Sequence, residues 1–123
     1  MSRLSSRTLR ESWGGEKSAA VQDDVSIISI TPDVCQGLPE HIDELIAKHR
    51  VRRVVFDLDK VDYLSSLHIA ALITARQAIH AAGGRVSLAN VPPALRNVLR
   101  VLKLDRIFAL DLDRAAAIAA LSG

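Results

Sequence analysis

Two adjacent serines, Ser65 and Ser66, stand just ahead of a long stretch of apolar residues at helical spacing. Hydroxyls in that position can do two things. A serine entering a helix accepts a backbone N–H as an N-cap. The same place also suits a phosphate, because free N–H groups and the helix dipole stabilise an anion, and phosphorylation adds roughly −1.5 to −2 charge to the nearby surface. A cap explains one of the two hydroxyls; phosphorylation is the alternative for the other.

Other reactive side chains lack the company that chemistry requires. Asp57, Asp59 and Asp62 follow a β-branched run and could hold Mg²⁺ through carboxylate oxygens. A phospho-acceptor aspartate domain would also need an acidic pair ending its first strand and a lysine ending its last. Here Asp23 and Asp24 precede the first strand, and Asp111 follows Leu110. The three aspartates are therefore expected to form a solvated strand end and turn. His41, His49, His68 and His80 form no recognised zinc motif, so no metal is expected. Cys35 is the single cysteine; it permits no internal disulfide and is expected to be an inert thiol. Lys48, His49, Arg50, Arg52 and Arg53 could touch phosphates, but they also lie where a helix C-terminus favours cations. The pairs Gly14-Gly15 and Gly83-Gly84 are isolated, and neither a P-loop nor a dinucleotide fingerprint occurs.

The elements that must position these groups are legible from periodicity. A strand is predicted over Val25 to Ile30, ended by Thr31-Pro32, and a second over Val51 to Leu58, apolar enough to be buried on both faces. A third covers Val86 to Ala89 and a short last one Ile107 to Leu110. Between them, helices are predicted from Leu38 to His49, from Ser66 to Ala82 with Gly83-Gly84 as the stop, and from Pro92-Pro93 to about Leu102. An alanine-rich helix ends near Leu121. Alternating strands and helices imply an α/β fold with a small, mostly parallel sheet, right-handed crossovers and about four helices. Functional groups in such sheets lie beyond the carboxyl ends of the strands, which singles out Asp57 to Ser66 and Asn90 to Pro93.

Composition narrows the classes. With 123 residues, 49% of them apolar and 24% charged, the chain suits one compact domain. Its longest apolar run, Ala115 to Leu121, is far below the roughly 18 to 20 residues of a membrane helix, so no membrane insertion is expected. Polar residues from Ser5 to Arg10 occupy the place of a secretory signal, and a cytoplasmic location is expected. The net charge is +2, and Arg3, Arg7, Arg10 and Lys17 against Glu11 and Glu16 account for all of it. A neutral body with 3% aromatic residues argues against nucleic acid as a partner. Residues 1–20 read as a flexible arm or loosely attached edge strand, and residues 21–123 as the domain.

The stretch Val54-Val55-Phe56-Asp57-Leu58-Asp59-Lys60-Val61-Asp62-Tyr63-Leu64-Ser65-Ser66 resembles the central motif of STAS domains, the family of bacterial anti-sigma factor antagonists. The likeness continues through Gly83-Gly84-Arg85-Val86-Ser87-Leu88-Ala89-Asn90-Val91 and Leu104-Asp105-Arg106-Ile107-Phe108, and covers most of residues 21–121. The resemblance implies a phosphorylation-controlled binding switch. Unphosphorylated, such a domain sequesters an anti-sigma factor that is also a serine kinase; phosphorylated, it lets go, and a serine phosphatase resets it. The chain itself would be no enzyme and carry no cofactor, since ATP and Mg²⁺ belong to the kinase. Ser66 takes the switch position and Ser65 the place before it, within a switch turn formed by Asp57, Asp62, Ser65, Leu67 and His68. Leu67 stands where the family has a small residue and His68 where it has glycine, so His68 is expected to point outward and hinder the kinase. The alternative reading is a non-switching STAS scaffold subunit of a signalling complex or transporter.

Helical geometry proposes a partner surface. Leu72, Ala75, Ile79 and Ala82 form one apolar stripe for the sheet. Ile69, Ile73, Arg76 and His80 line up with Ser66 on a second flank, which suits a partner-binding face of apolar anchors in a polar rim. Equally, Ile69 and Ile73 could widen the core stripe.

Overall fold

The computed structural model describes residues 19–22 and 25–121. Its sheet has the order β1-β2-β3-β4, with β1 (Ala19–Gln22) antiparallel to β2 (Val25–Ser29), and β2, β3 (Arg53–Asp57) and β4 (Arg85–Ala89) parallel. The α-helices are α1 (Pro32–Gln36), α2 (Leu38–His49), α3 (Ser66–Ala81), α4 (Pro93–Val101) and α5 (Arg114–Leu121), with a 3₁₀ turn at Leu104–Arg106. This is the expected α/β class. The five-residue α1 is an addition: Thr31 Oγ1 accepts the Val34 N–H at 3.2 Å, so the Thr-Pro pair that ends β2 also starts a helix.

The side-chain period of two divides the sheet into two cores. Ile28, Val54, Phe56 and Leu88 face α2 and α3, while Val25, Ile27, Val55 and Ala89 face Ala117, Ile118 and Leu121 of α5. Register keeps like with like, pairing Ile28 with Phe56 and Phe56 with Leu88. Because Val54, Val55 and Phe56 are buried whichever face they point to, the middle of β3 reads as a continuous apolar run. After α3, Gly83 takes the left-handed conformation (φ +83°). A Cβ on Gly84 would come within 2.3 Å of the Arg52 carbonyl, so only glycine lets the chain pass into β4 there.

The predicted last strand is absent. Ile107 and Phe108 both return their N–H groups to the Leu104 carbonyl, at 3.1 and 2.9 Å, so a local turn takes the donors that a ladder would use. The alternation that suggested a strand is real in burial, since Phe108 and Leu110 are buried and Ile107 and Ala109 exposed. Among the described residues β4 is therefore one edge of the sheet, and just beyond it the Asn90 N–H donates to the Leu112 carbonyl at 2.8 Å.

Candidate functional site

The loop from β3 to α3 crosses the carboxyl end of the sheet. Leu58, Val61 and Leu64 are buried and pin it down, while Asp59, Lys60, Asp62 and Tyr63 face outward. A buried residue at every third position ties the loop to the core along its length up to the start of α3. Ser65 is extended (φ −73°, ψ 169°) and is the N-cap of α3. Its Oγ accepts the His68 N–H at 3.3 Å, and His68 Nδ1 accepts the Ser65 N–H at 3.2 Å. That is a reciprocal capping box with an imidazole in the role usually taken by Glu or Gln. An accepting Nδ1 puts the proton of the neutral ring on Nε2.

This corrects the expectation that His68 points outward as a barrier. The ring is half-buried and folded back on the backbone because two orphan N–H groups need acceptors at a helix start, and Nδ1 reaches one of them. The cap absorbs Ser65 and leaves Ser66 exposed at the first helical position. Leu67, next in sequence, is 79% exposed, and Tyr63, three residues before, is 69% exposed. Tyr63 was not singled out from the sequence, where a lone aromatic in a polar turn carries no periodic signal. Beside Leu67 and His68 a cavity of about 340 Å³ opens between α1, α2 and α3, with Glu40 and Thr74 on its walls. Cys35 lies at its base, buried, and burial pushes its thiol up to about 11, which keeps it protonated and inert as expected.

Asp57 is a second correction. Instead of a solvated strand end it is 4% exposed, on the face of β3 that meets α5. Arg114 donates to its Oδ2 through Nε at 3.0 Å and Nη2 at 2.6 Å. Its Oδ1 accepts the Asp59 N–H at 3.0 Å and the Asn90 side-chain amide at 3.2 Å. Burial pushes the carboxyl up, but the Arg114 hydrogen bonds, those from Asp59 and Asn90, and the Arg114 charge together hold it below the usual carboxylate value. Asp57 thus ties the ends of β3 and β4 to the start of α5 and anchors the loop from within. Asp59 and Asp62 remain exposed, and among the described residues no cluster of acidic, histidine or cysteine side chains could hold a metal.

The proposed partner-binding flank divides. Ile69 is buried at 6% exposure and belongs to the main core; Ile73 is half-buried against the same core. Ser66 is thus separated from Arg76 and His80, which lie beside β4 at the far end of α3. Ile69 joins the main core, and α2 packs along α3.

A family model for the STAS domain matches residues 17–117. The chain belongs to the STAS domain family. Its fold is also that of solved structures at low identity. A proposed anti-sigma factor antagonist from Thermotoga maritima superposes with a TM-score of 0.73 at 17% identity, over 85% of this chain and 93% of that one. A serine-to-glutamate variant of Moorella thermoacetica RsbS gives 0.71 at 18%, over 85% and 92%. The Bacillus cell fate determinant SpoIIAA in its phosphorylated form gives 0.63 at 17%, over 81% and 93%. No curated protein matches the sequence significantly. Among the described residues of this STAS domain, no helix is long and apolar enough to cross a membrane.

Proposed function

We propose that this STAS domain is an anti-sigma factor antagonist that works as a protein-binding switch set by phosphorylation of Ser66. Unphosphorylated, it sequesters an anti-sigma factor that is also its serine kinase; phosphorylated, it releases that partner until a serine phosphatase resets it. The observation that carries this reading is the division of labour at the α3 start. Ser65 is consumed by the cap, whereas Ser66 is exposed, next in sequence to the exposed Leu67 and three residues after the exposed Tyr63. Apolar anchors around a modifiable hydroxyl form a surface that a dianion would spoil, by desolvation and by repulsion of any acidic partner group. SpoIIAA and RsbS, which share the fold, supply the analogy: one is known phosphorylated and the other with glutamate in place of a serine. The domain acts by binding and performs no catalysis in this reading.

Leu67 favours a second reading. Its bulk next to Ser66 suits a permanent interface, as in a scaffold subunit that stays bound whatever the state of the serine. One experiment separates the two. With its cognate kinase and ATP, the chain should gain phosphate at Ser66, mapped by mass spectrometry. Ser66→Ala should hold the partner constitutively and Ser66→Asp should bind about tenfold or more weakly. Phosphate on Ser65 alone, or on neither serine, overturns the switch; full binding by Ser66→Asp establishes the scaffold.

A further inference from the structure

The far end of α3 carries a cluster that the Ser66 surface does not use. Arg76 and His80, one turn apart, meet Arg85 and the buried Ser87 of β4 around a cavity of about 250 Å³ at the sheet's open edge. Phe108 and Leu112, from the segment that turns away, and Leu121 of α5 supply its apolar wall.

Among the described residues no carboxylate lines this cavity, and the ion pairs between them, Lys48–Glu44 and Arg114–Asp57, involve none of its cations. The Arg76 Nε is buried with no hydrogen-bond partner, while its guanidinium sits 5.8 Å from the centre of the Phe108 ring. Arg85 is held in place by donating from Nη2 to the Ala120 carbonyl at 3.1 Å. Burial and the two neighbouring guanidinium charges push the His80 pKa down, as expected where cations crowd without an anion. An unpartnered buried donor on a charged group is costly, and an anion drawn in beside Arg76 and Arg85 would offset the charge gathered there.

We propose that this cavity binds a small organic anion, a phosphate or carboxylate group on a compact apolar body. The headgroup lies between Arg76 and Arg85, and the body rests on Phe108, Leu112 and Leu121. The volume is below that of a drug-sized pocket, so the ligand is no larger than a ring or short chain with its headgroup. Along α3 the site is about 15 Å from Ser66, far enough for it to fill without touching the serine.

Phenyl phosphate and benzoate, titrated separately into the ¹⁵N-labelled full chain, test this. Signals to follow are the Arg76 side-chain Nε–H and the Ser87 and Phe108 amides, with phenol as the uncharged control. At least one anion should shift them saturably with a Kd of about 1 mM or tighter, and the two arms tell phosphate from carboxylate. Arg76→Lys, which keeps the charge and removes Nε, and Arg85→Gln should each weaken binding about tenfold while keeping the wild-type spectrum elsewhere. The proposal is overturned if neither anion saturates the wild type, if phenol shifts the same signals equally, or if both variants bind as the wild type does.

Discussion

Asp57 and Ser66 lie at the two ends of one short loop at the carboxyl end of the sheet, and they are put to opposite uses. Asp57 has every oxygen engaged: Arg114 on one, Asp59 and Asn90 on the other, with almost no exposure to water. Ser66 is exposed, its neighbour Ser65 having taken the capping role. A polar group with a full set of internal partners is a structural pin, and any modification of it would cost the fold. A polar group left over after the local structure has satisfied itself can change state at little structural cost. A switch needs the second kind, held rigidly by the first.

Substitutions along α3 test that division most strongly where the chain is most committed. Ile69→Ala should destabilise by about 2 to 5 kcal/mol in chemical denaturation, because it empties a buried site. Ile73→Ala, at a half-buried site on the same flank, should cost distinctly less. Equal costs would mean that the two isoleucines do not divide between core and margin.

Arg114→Ala comes next, at about 1 to 3 kcal/mol, since it strands a buried carboxylate while removing a partner that is itself half-exposed. Its signature is in the pH dependence. Because the folded Asp57 pKa is depressed, its stabilisation is complete above the unfolded carboxylate value and is lost as pH falls through the folded one. In the wild type, acid should erode this contribution, and in Arg114→Ala the loss across that window should shrink. An unchanged acid slope would show that Asp57 is not the pin.

The sequence makes these differences legible only in part. β2, β3, α2 and α3 follow from period and punctuation, because apolar spacing, Pro32 and Gly83-Gly84 act locally. Ser65 and Ser66 could be placed at a helix start for the same reason. The Asp57 partners could not be found that way: Arg114 comes from the last helix, and no local pattern joins the two. One signal was available, since a carboxylate ending a run buried on both faces has nowhere dry to go without a cation. The last strand failed because alternation of burial at Ile107 to Leu110 is shared by a strand and by a turn packed on the core. The inward fold of His68 lies in the spacing Ser-x-x-His, which serves a capping box.

That box gives a smaller effect. Ser65→Ala should cost about 1 kcal/mol, the usual loss for an N-cap. His68→Gly should cost a similar amount, combining a lost acceptor for the Ser65 N–H with the low helix propensity of glycine. His68→Gln, which can restore the reciprocal bond, should recover most of it in thermal melts. If His68→Gly were neutral, the imidazole would be a bystander.

The smallest effect on stability belongs to Ser66, and it is the one on which the comparison with Asp57 turns. Ser66→Ala should change unfolding free energy by less than about 0.5 kcal/mol, because the hydroxyl is exposed and the cap next door is untouched. Ser66→Asp should also be tolerated, since a negative charge in the first turn is favoured by the helix dipole. Partner binding should nonetheless separate the two variants, with alanine retained and aspartate released. A residue whose substitutions leave the melting curve in place but divide the binding curve is acting at the surface. If Ser66→Ala instead destabilised the domain as much as Ser65→Ala, the second hydroxyl would be part of the cap and the distinction between pin and switch would fail.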